Sequence, residues 1–173
     1  RPSHHKKRSP GTGLPCLRTH QDMSDQSSHS GQPIPDVSIV VPVRNEQDNV
    51  APLIAEIAAA LDGRWAYEII YVNDGSTDAT GERLAAEMRV RKNLRQIRHA
   101  ASSGQSAAVR TGVRFARGQI VATLDGDGQN NPAFLPNLIE AIEKGNGRIG
   151  LAAGQRVGRK DTGFKKFQSR TAN

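Results

Sequence analysis

Val37 to Val43 reads VSIVVPV, an almost uninterrupted run of β-branched apolar residues. Such a run is typical of a strand buried on both faces of a parallel sheet. A helical pattern follows it, because apolar residues recur with a 3.6-residue period from Val50 to Leu61. Strand and helix patterns then alternate along the chain. This alternation predicts an α/β fold in which a mostly parallel sheet is covered by helices on both faces.

The remaining elements are predicted from the same two periodicities. Further strands are expected at 67–72, 94–98, 120–124 and 149–153, and further helices at 78–90, 106–116 and 133–144. The helix at 106–116 has a face of small residues, Ala108, Gly112 and Ala116, which allows close packing on the sheet. The helix at 133–144 is expected to carry the apolar residues Phe134, Leu138, Ile139 and Ile142.

Composition limits the functions that the chain can serve. The chain has 173 residues, a formal net charge of +7 and an aromatic content of 4%. The charge favours anionic partners, whereas so few aromatic residues argue against base stacking, and we expect no nucleic-acid partner. The single cysteine, Cys16, excludes an internal disulfide framework and fits a reducing compartment. No apolar run approaches the roughly 20 residues of a membrane-spanning helix.

Residues 1–35 differ in composition from the rest of the chain. They are rich in Ser, His, Pro, Gly and Gln and contain few large apolar residues, so they bury too little surface to offset the entropy of ordering. We predict a disordered tail at 1–35 and one domain at 36–173. The basic cluster HHKKR at 4–8 is either a solvated tail or a phosphate-binding or targeting patch. Met23 is our hypothesis for the physiological start.

Two aspartates end the predicted strand at 120–124, in the sequence IVATLDGDGQNN. Alternate residues of an extended chain point the same way, so Asp125 and Asp127 can present their carboxylates to one point. Mg²⁺ and Mn²⁺ are often held by one or two carboxylates together with substrate phosphates. Gly126 and Gly128 leave room for a phosphate to approach the backbone. A divalent-metal site and a solvated Asp-Gly turn are both open interpretations.

The first two strands also end in polar residues. Arg44, Asn45 and Glu46 follow the first strand, and Asp74 and Asp78 follow the second. The carboxyl ends of parallel strands share one edge of a sheet, where open α/β folds bind ligands. Asn45 and Asp78 have an alternative role as stabilisers of helix starts. Asp74, directly at a strand end, is the stronger ligand candidate.

Five motifs, taken in order, carry a family resemblance: VSIVVPVRNE, YEIIYVNDGSTD, SSGQSAAVRTGVRFARG, IVATLDGDGQNNPAFLP and AAGQRVGRKDTGFKKFQSRTAN. The set resembles family 2 glycosyltransferases with the GT-A fold, and more narrowly the polyprenyl-phosphate branch that includes dolichol-phosphate mannose synthases. The resemblance covers about 36–173 and implies a Rossmann-like sheet. Two positions depart from the family pattern. Asn73 stands where an aspartate is usual, and Arg44 where an aromatic residue is frequent.

The resemblance implies a reaction and its partners. A sugar would pass from a nucleotide-sugar, such as GDP-mannose or UDP-glucose, to dolichyl or undecaprenyl phosphate, with inversion and with Mg²⁺ or Mn²⁺ as cofactor. The protein would lie at the cytoplasmic face of the membrane, with no transmembrane segment in this chain. Because relatives continue past the segment equivalent to 169–173, we expect a C-terminal truncation.

The resemblance also implies roles for individual residues. Asp74 would hydrogen-bond the base, and Asp127 would act in catalysis through the metal. Arg156 would act in catalysis and hold an acceptor or donor phosphate, and Arg170 would lie at the acceptor phosphate. Lys165, Lys166 and Arg170 form a basic segment that either contacts the lipid phosphate or is a solvated or membrane-surface face. The implied nucleotide pocket consists of Pro42, Arg44, Glu46, Val72, Asp74, Asp125 and Gly126. The implied metal site consists of Asp125, Asp127 and Gln129.

Two other functions remain open on the sequence alone. One is a soluble family 2 glycosyltransferase that acts on a polysaccharide or glycolipid, since it would share the nucleotide and metal motifs. The other is a truncated, non-catalytic fragment that binds a sugar nucleotide. The segment GQRVGRKDTGFKKFQSR favours the polyprenyl-phosphate branch.

Overall fold

A computed structural model describes residues 34–154 and confirms the predicted α/β class. The described residues form four strands: β1 Val37–Val43, β2 Tyr67–Asn73, β3 Leu94–Arg98 and β4 Ile120–Thr123. They also form four α-helices: α1 Val50–Leu61, α2 Thr80–Val90, α3 Gln105–Phe115 and α4 Leu135–Lys144. A short 3₁₀ turn at Pro132–Phe134 leads into α4.

The four strands make one parallel sheet in the order β3-β2-β1-β4. β1 lies in the interior, with Val37 paired to Tyr67 of β2 on one side and to Ile120 of β4 on the other. All seven residues of β1 are buried, as its apolar run predicts. β4 alternates between half-buried and exposed residues, because it is an edge strand of the described sheet.

Helices cover both faces of the sheet. One face carries the larger core, in which alternate residues of β1 pack with α1, α2 and α4 through Ile57, Leu84 and Ile139. The other face carries α3, whose Ala108 packs with Ile70 and Val72 of β2. A Cβ at Gly112 would overlap Val40, so the predicted small face of α3 is confirmed and allows the helix to lie directly on the sheet.

The buried carboxylate of Glu68 connects the start of β2 to the end of α3 by hydrogen bonds and ion pairs. Glu68 is 1% exposed and accepts hydrogen bonds from Ser38 Oγ at 2.7 Å and the Arg117 backbone N–H at 2.8 Å. The guanidinium groups of Arg95 and Arg117 lie 2.8 and 2.9 Å from Oε2 of Glu68. Burial alone would raise the pKa of Glu68, but bonds from Ser38 and Arg117 and the charge of Arg95 lower it below its ordinary value of 4.5. The charged form therefore holds the chain after α3 against β1 and β2.

Three predictions about elements need correction. The strand predicted at 149–153 is wrong, because these residues have no strand partner and Leu151 is 82% exposed. Phe134 lies in the 3₁₀ turn and is 62% exposed, whereas Leu135 and Ile139 supply the buried positions of α4. The helix predicted from Asp78 begins at Thr80, since Asp78 accepts hydrogen bonds from Thr80 instead of joining the helix.

Candidate functional site

A cavity of about 350 Å³ lies at the carboxyl ends of β1, β2 and β4. This volume falls in the range of small-ligand pockets, and the position is the edge at which open parallel sheets bind ligands. Twelve residues line it: Pro42, Val43, Arg44, Glu46, Asp74, Ser102, Gly104, Gln105, Ala108, Asp125, Gly126 and Asp127. Of the residues proposed from the sequence for nucleotide binding, all but Val72 are in this set. Val72 is fully buried and packs beneath α3.

The loops after β1 and β2 are hydrogen-bonded to each other beside the cavity. Asn45, at φ 57°, receives a hydrogen bond at its side-chain oxygen from the Thr77 backbone N–H and donates its own N–H to Ser76 Oγ. The backbone N–H of Gln47 donates to Asp78 Oδ2 at 3.2 Å. Asn45 and Asp78 therefore have structural partners, and Asp78 supports the first turn of α2 as its alternative role predicted. The bonds fix the part of the cavity wall that follows β1.

The two aspartates after β4 face the cavity in different environments. Asp125 is half-buried, and its carboxylate accepts bonds from Gln105 Nε2 at 2.6 Å and Asn130 Nδ2 at 3.2 Å. Asp127 is exposed and accepts a bond at Oδ1 from the backbone N–H of Gln129 at 3.0 Å. A Cβ at Gly126 would overlap Val43, so the acidic loop lies in direct contact with the end of β1.

These two carboxylates fit a hard divalent cation that is also bound by ligand phosphates. Carboxylate oxygen suits Mg²⁺ and Mn²⁺, and such ions often take only one or two protein carboxylates beside phosphate oxygens. Within residues 34–154 no group of three or more His, Cys, Asp or Glu side chains is placed to hold a metal. The remaining ligands would therefore have to come from the substrate, from water or from neutral groups.

Asp74 is buried beneath the segment between β3 and α3. Its side chain is 5% exposed, and Oδ1 accepts bonds from His99 Nδ1 at 2.7 Å and the Ser103 N–H at 2.8 Å. Oδ2 accepts bonds from Ser102 Oγ at 2.8 Å and the Gly104 N–H at 2.9 Å. Burial would raise the pKa of Asp74, but these hydrogen bonds outweigh it and hold the pKa well below its usual range.

Besides the apolar Val43 and Ala108, sequence reasoning missed three residues of the cavity wall: Ser102, Gly104 and Gln105. They belong to the motif SSGQ, which ends at the first residue of α3 and contributed to the family resemblance without receiving a role. The signal available in the sequence was a Gly-containing polar segment between a strand and a helix, a place where ligands often meet backbone.

The other proposed site residues lie elsewhere. Gln129 bonds Asp127 through its backbone and does not line the cavity. Arg156, Lys165, Lys166 and Arg170 are outside the described residues, as are most of the tail predicted at 1–35 and the proposed start at Met23. In the described part of the chain, no helix is long and apolar enough to cross a bilayer.

Comparison with known sequences gives a family and several relatives. The profile of glycosyl transferase family 2 matches residues 38–172. A dodecaprenyl-phosphate galacturonate synthase from Rhizobium johnstonii is 39% identical over 145 residues, which are 80% of this chain and 41% of the relative. An undecaprenyl-phosphate 4-deoxy-4-formamido-L-arabinose transferase from Edwardsiella ictaluri is 37% identical over 139 residues, 79% of this chain and 42% of the relative. The chain thus spans less than half the length of either protein.

Comparison with solved structures supports the fold. A mannosyltransferase from Pyrobaculum calidifontis, solved in complex with GDP-Man and Mn²⁺, has a TM-score of 0.56 and 24% identity, over 62% of this chain and 32% of that one. Residues 1–349 of TarS from S. aureus have a TM-score of 0.57 and 20% identity, over 73% of this chain and 40% of that one.

Proposed function

The chain belongs to glycosyl transferase family 2, and from that premise we propose that it serves in the transfer of a sugar from a nucleotide-sugar to a polyprenyl phosphate. The relatives from R. johnstonii and E. ictaluri are named for reactions on dodecaprenyl and undecaprenyl phosphate. A lipid-linked acceptor would place the protein at a membrane surface, and we propose peripheral association with its cytoplasmic face. The donor would be a nucleotide-sugar of the GDP-mannose or UDP-glucose kind.

The observation that carries this proposal is the meeting of Asp125 and Asp127 with the ends of β1 and β2 around one cavity. A nucleoside diphosphate has an apolar and hydrogen-bonding end, the nucleoside, and a strongly anionic end, the diphosphate. The cavity offers buried β-strand ends on one side and two carboxylates on the other. These carboxylates can meet a diphosphate only through a cation, because direct contact would place like charges together.

We propose individual roles on this basis. Pro42, Arg44, Glu46 and Asp74 form the nucleoside side of the cavity. Asp125 and Asp127 hold Mg²⁺ or Mn²⁺ against the donor phosphates, and the solved mannosyltransferase with GDP-Man and Mn²⁺ is consistent with a divalent ion. The remaining proposed roles are the nucleotide contact of Gly126, the metal contact of Gln129, and the acceptor-phosphate contacts of Arg156 and Arg170. Val72 is fully buried, so its proposed part in the nucleotide pocket is to support the wall from behind.

The proposed reaction needs little proton chemistry from the protein. An oxygen of the acceptor phosphate forms a bond to the anomeric carbon, while the bond from that carbon to the diphosphate breaks and the nucleoside diphosphate leaves with the electron pair. The acceptor oxygen is already anionic at neutral pH, so no general base is required. When bound, the cation offsets the charge that develops on the leaving diphosphate.

Calorimetry with GDP and with UDP, each with and without Mn²⁺, tests nucleotide binding. We expect one of the two to bind, and to bind more tightly when Mn²⁺ is present. Transfer is tested by incubating radiolabelled nucleotide-sugars with undecaprenyl phosphate and measuring label in the lipid extract. Because the chain spans less than half of its relatives, the assay should include a chimera that appends the C-terminal part of the R. johnstonii protein.

The two assays separate the possible functions. Metal-dependent binding with lipid labelling supports the proposal. Binding without labelling, in both the chain and the chimera, indicates a sugar-nucleotide-binding unit or a different acceptor. Failure of both nucleotides to bind contradicts the donor assignment itself.

A further inference from the structure

Arg44 is the one basic residue among the described residues that line the cavity at the carboxyl ends of β1, β2 and β4. Four carboxylates line the same cavity, those of Glu46, Asp74, Asp125 and Asp127. The Arg44 guanidinium nevertheless forms no hydrogen bond or ion pair with any residue of the described range 34–154, and its side chain is exposed. It is therefore available to a ligand.

The loop that carries Arg44 turns toward β2. The backbone N–H of Asn45, the next residue, donates to Ser76 Oγ at 3.0 Å. On the other side of Arg44, the carbonyl of Val43 accepts a hydrogen bond from the Asp74 N–H at 2.9 Å. Arg44 thus lies between two residues that are bonded to the end of β2. This is the side of the cavity proposed for the nucleoside, whereas the diphosphate is proposed at the acidic loop after β4.

A nucleobase presents a flat face that needs a planar partner. Proteins stack bases on aromatic rings or on the plane of an Arg guanidinium. None of the described residues that line the cavity is aromatic. Gln105 has a planar amide, but its nitrogen donates to Asp125 Oδ1 at 2.6 Å. Arg44 supplies the one planar cation in the lining, and a cation is attracted to the face of a π-system.

We infer that the Arg44 guanidinium stacks on the base of the bound nucleotide, and that it contributes to binding through its plane and not through an ion pair with the diphosphate. The inference rests on the proposed nucleotide site and specifies how the nucleoside side of that site holds the base. Because every base has a π-face, this contact suits both GDP and UDP. Discrimination between the two has to come from groups at the edge of the base.

Three substitutions of Arg44 separate stacking from charge. Arg44→Tyr keeps a planar group without the charge, Arg44→Lys keeps the charge without the plane, and Arg44→Ala removes both. Calorimetry with GDP and with UDP, in the presence of Mn²⁺, measures the affinity of each variant of the full chain. We expect Arg44→Ala and Arg44→Lys to bind about tenfold or more weakly than wild type, in line with the loss of one base stack. Arg44→Tyr should stay close to wild type.

The matched control is Arg83→Ala, because Arg83 is exposed on α2 and does not line the cavity. It should leave the affinity unchanged. A second titration, followed by NMR, uses guanosine and uridine, which carry no phosphate. We expect Arg44→Ala and Arg44→Lys to weaken the binding of the nucleoside by about the same factor as that of the diphosphate, since the lost contact is with the base.

Two results would overturn the inference. If Arg44→Lys kept the affinity and Arg44→Tyr lost it, the charge of Arg44 would matter and its plane would not. If Arg44→Ala kept the affinity, the side chain would make no contact with the ligand. Thermal unfolding without ligand shows whether each variant is folded, and the nucleoside titrations of Arg44→Lys and Arg44→Ala decide the matter if Arg44→Tyr is not.

The same experiment separates this inference from the proposed function. If the wild-type chain binds neither GDP nor UDP, the proposed donor site and the stacking role of Arg44 both fail. If the wild-type chain binds one of them and Arg44→Tyr is folded but binds weakly, the stacking role alone fails.

Discussion

At the scale of single residues, the two aspartates after β4 are not equivalent. Both Asp125 oxygens accept side-chain hydrogen bonds, whereas Asp127 is exposed and accepts one bond from a backbone N–H. Asp127 is thus the carboxylate with more freedom to bind a cation. We expect Asp127→Asn to reduce the Mn²⁺-dependent gain in nucleotide affinity by at least about tenfold, since even outer-shell partners of metals are worth about 10–100-fold.

Calorimetry with and without Mn²⁺ measures this effect. Asp48→Asn is the matched control, because Asp48 is an exposed carboxylate in the loop before α1 and does not line the cavity. An unchanged Mn²⁺ effect in Asp127→Asn would contradict the metal assignment.

A second prediction concerns Glu68, far from the cavity. Glu68→Gln weakens the bonds to Arg95 and Arg117 and leaves their charges without a counterion, at a cost of about 1–3 kcal/mol in the free energy of unfolding. Because the pKa of Glu68 is lowered in the folded state, its contribution is fully present above pH 4.5 and is lost as the pH falls below that value. Denaturant unfolding at pH 7 and in the acid range should show that the difference in the free energy of unfolding between wild type and variant decreases as the pH falls. A difference in the free energy of unfolding that increases on acidification would contradict stabilisation by charged Glu68.

At the scale of elements, the packing of α3 on the sheet depends on the absence of a side chain at Gly112. Gly112→Ala should destabilise the protein by about 1–3 kcal/mol, because the added Cβ overlaps Val40 and overpacks the contact with the sheet. Gly81→Ala in α2 is the matched control, since its Cβ would meet nothing closer than 3.4 Å. There the higher helix propensity of alanine should stabilise by up to about 1 kcal/mol. Thermal unfolding of both variants measures whether each substitution lowers or raises stability. Stabilisation by Gly112→Ala would contradict the close packing of α3 on the sheet.

Elements with strong periodicity were predictable from sequence. α1 lies at Val50–Leu61, where its 3.6-residue pattern placed it, and β1 at Val37–Val43. Short apolar runs were less reliable. Ile149 and Leu151 have the alternation of a strand, but pairing depends on a neighbouring strand that the local sequence does not encode.

The candidate site also has parts that were predictable from sequence and parts that were not. Strand-end polar residues were found, whereas the role of 102–105 depends on Asp74, about 30 positions earlier in the chain.

At the scale of the whole molecule, the positive charge of the chain is expected to affect its binding to membranes. Residues 165–173 contain three basic residues and residues 1–23 contain five. We predict salt-sensitive binding of the chain to anionic vesicles, since each Lys or Arg near such a surface contributes about 1 kcal/mol. Deleting 165–173 should reduce vesicle binding more than deleting 1–23, because the family resemblance places the lipid acceptor near the C-terminal segment. Co-sedimentation at low and high salt measures this. Equal losses, or a larger loss on deleting 1–23, would indicate that total charge decides binding.

The strand order has a consequence for which connection borders the cavity. From β1 to β3 the chain moves across the sheet in one direction, and it then reverses to place β4 beyond β1. Crossovers between parallel strands are right-handed, so the reversal sends α3 to the face opposite α1 and α2. On its way to that face, the chain leaves β3 and passes over the carboxyl end of β2, where Ala101 and Ser102 lie against Gly75 and where Asp74 lies. Handedness sets the face on which α3 lies, and the packing of α3 on β1 and β2 then brings the connection from β3 to the rim of the cavity, above the carboxylate of Asp74.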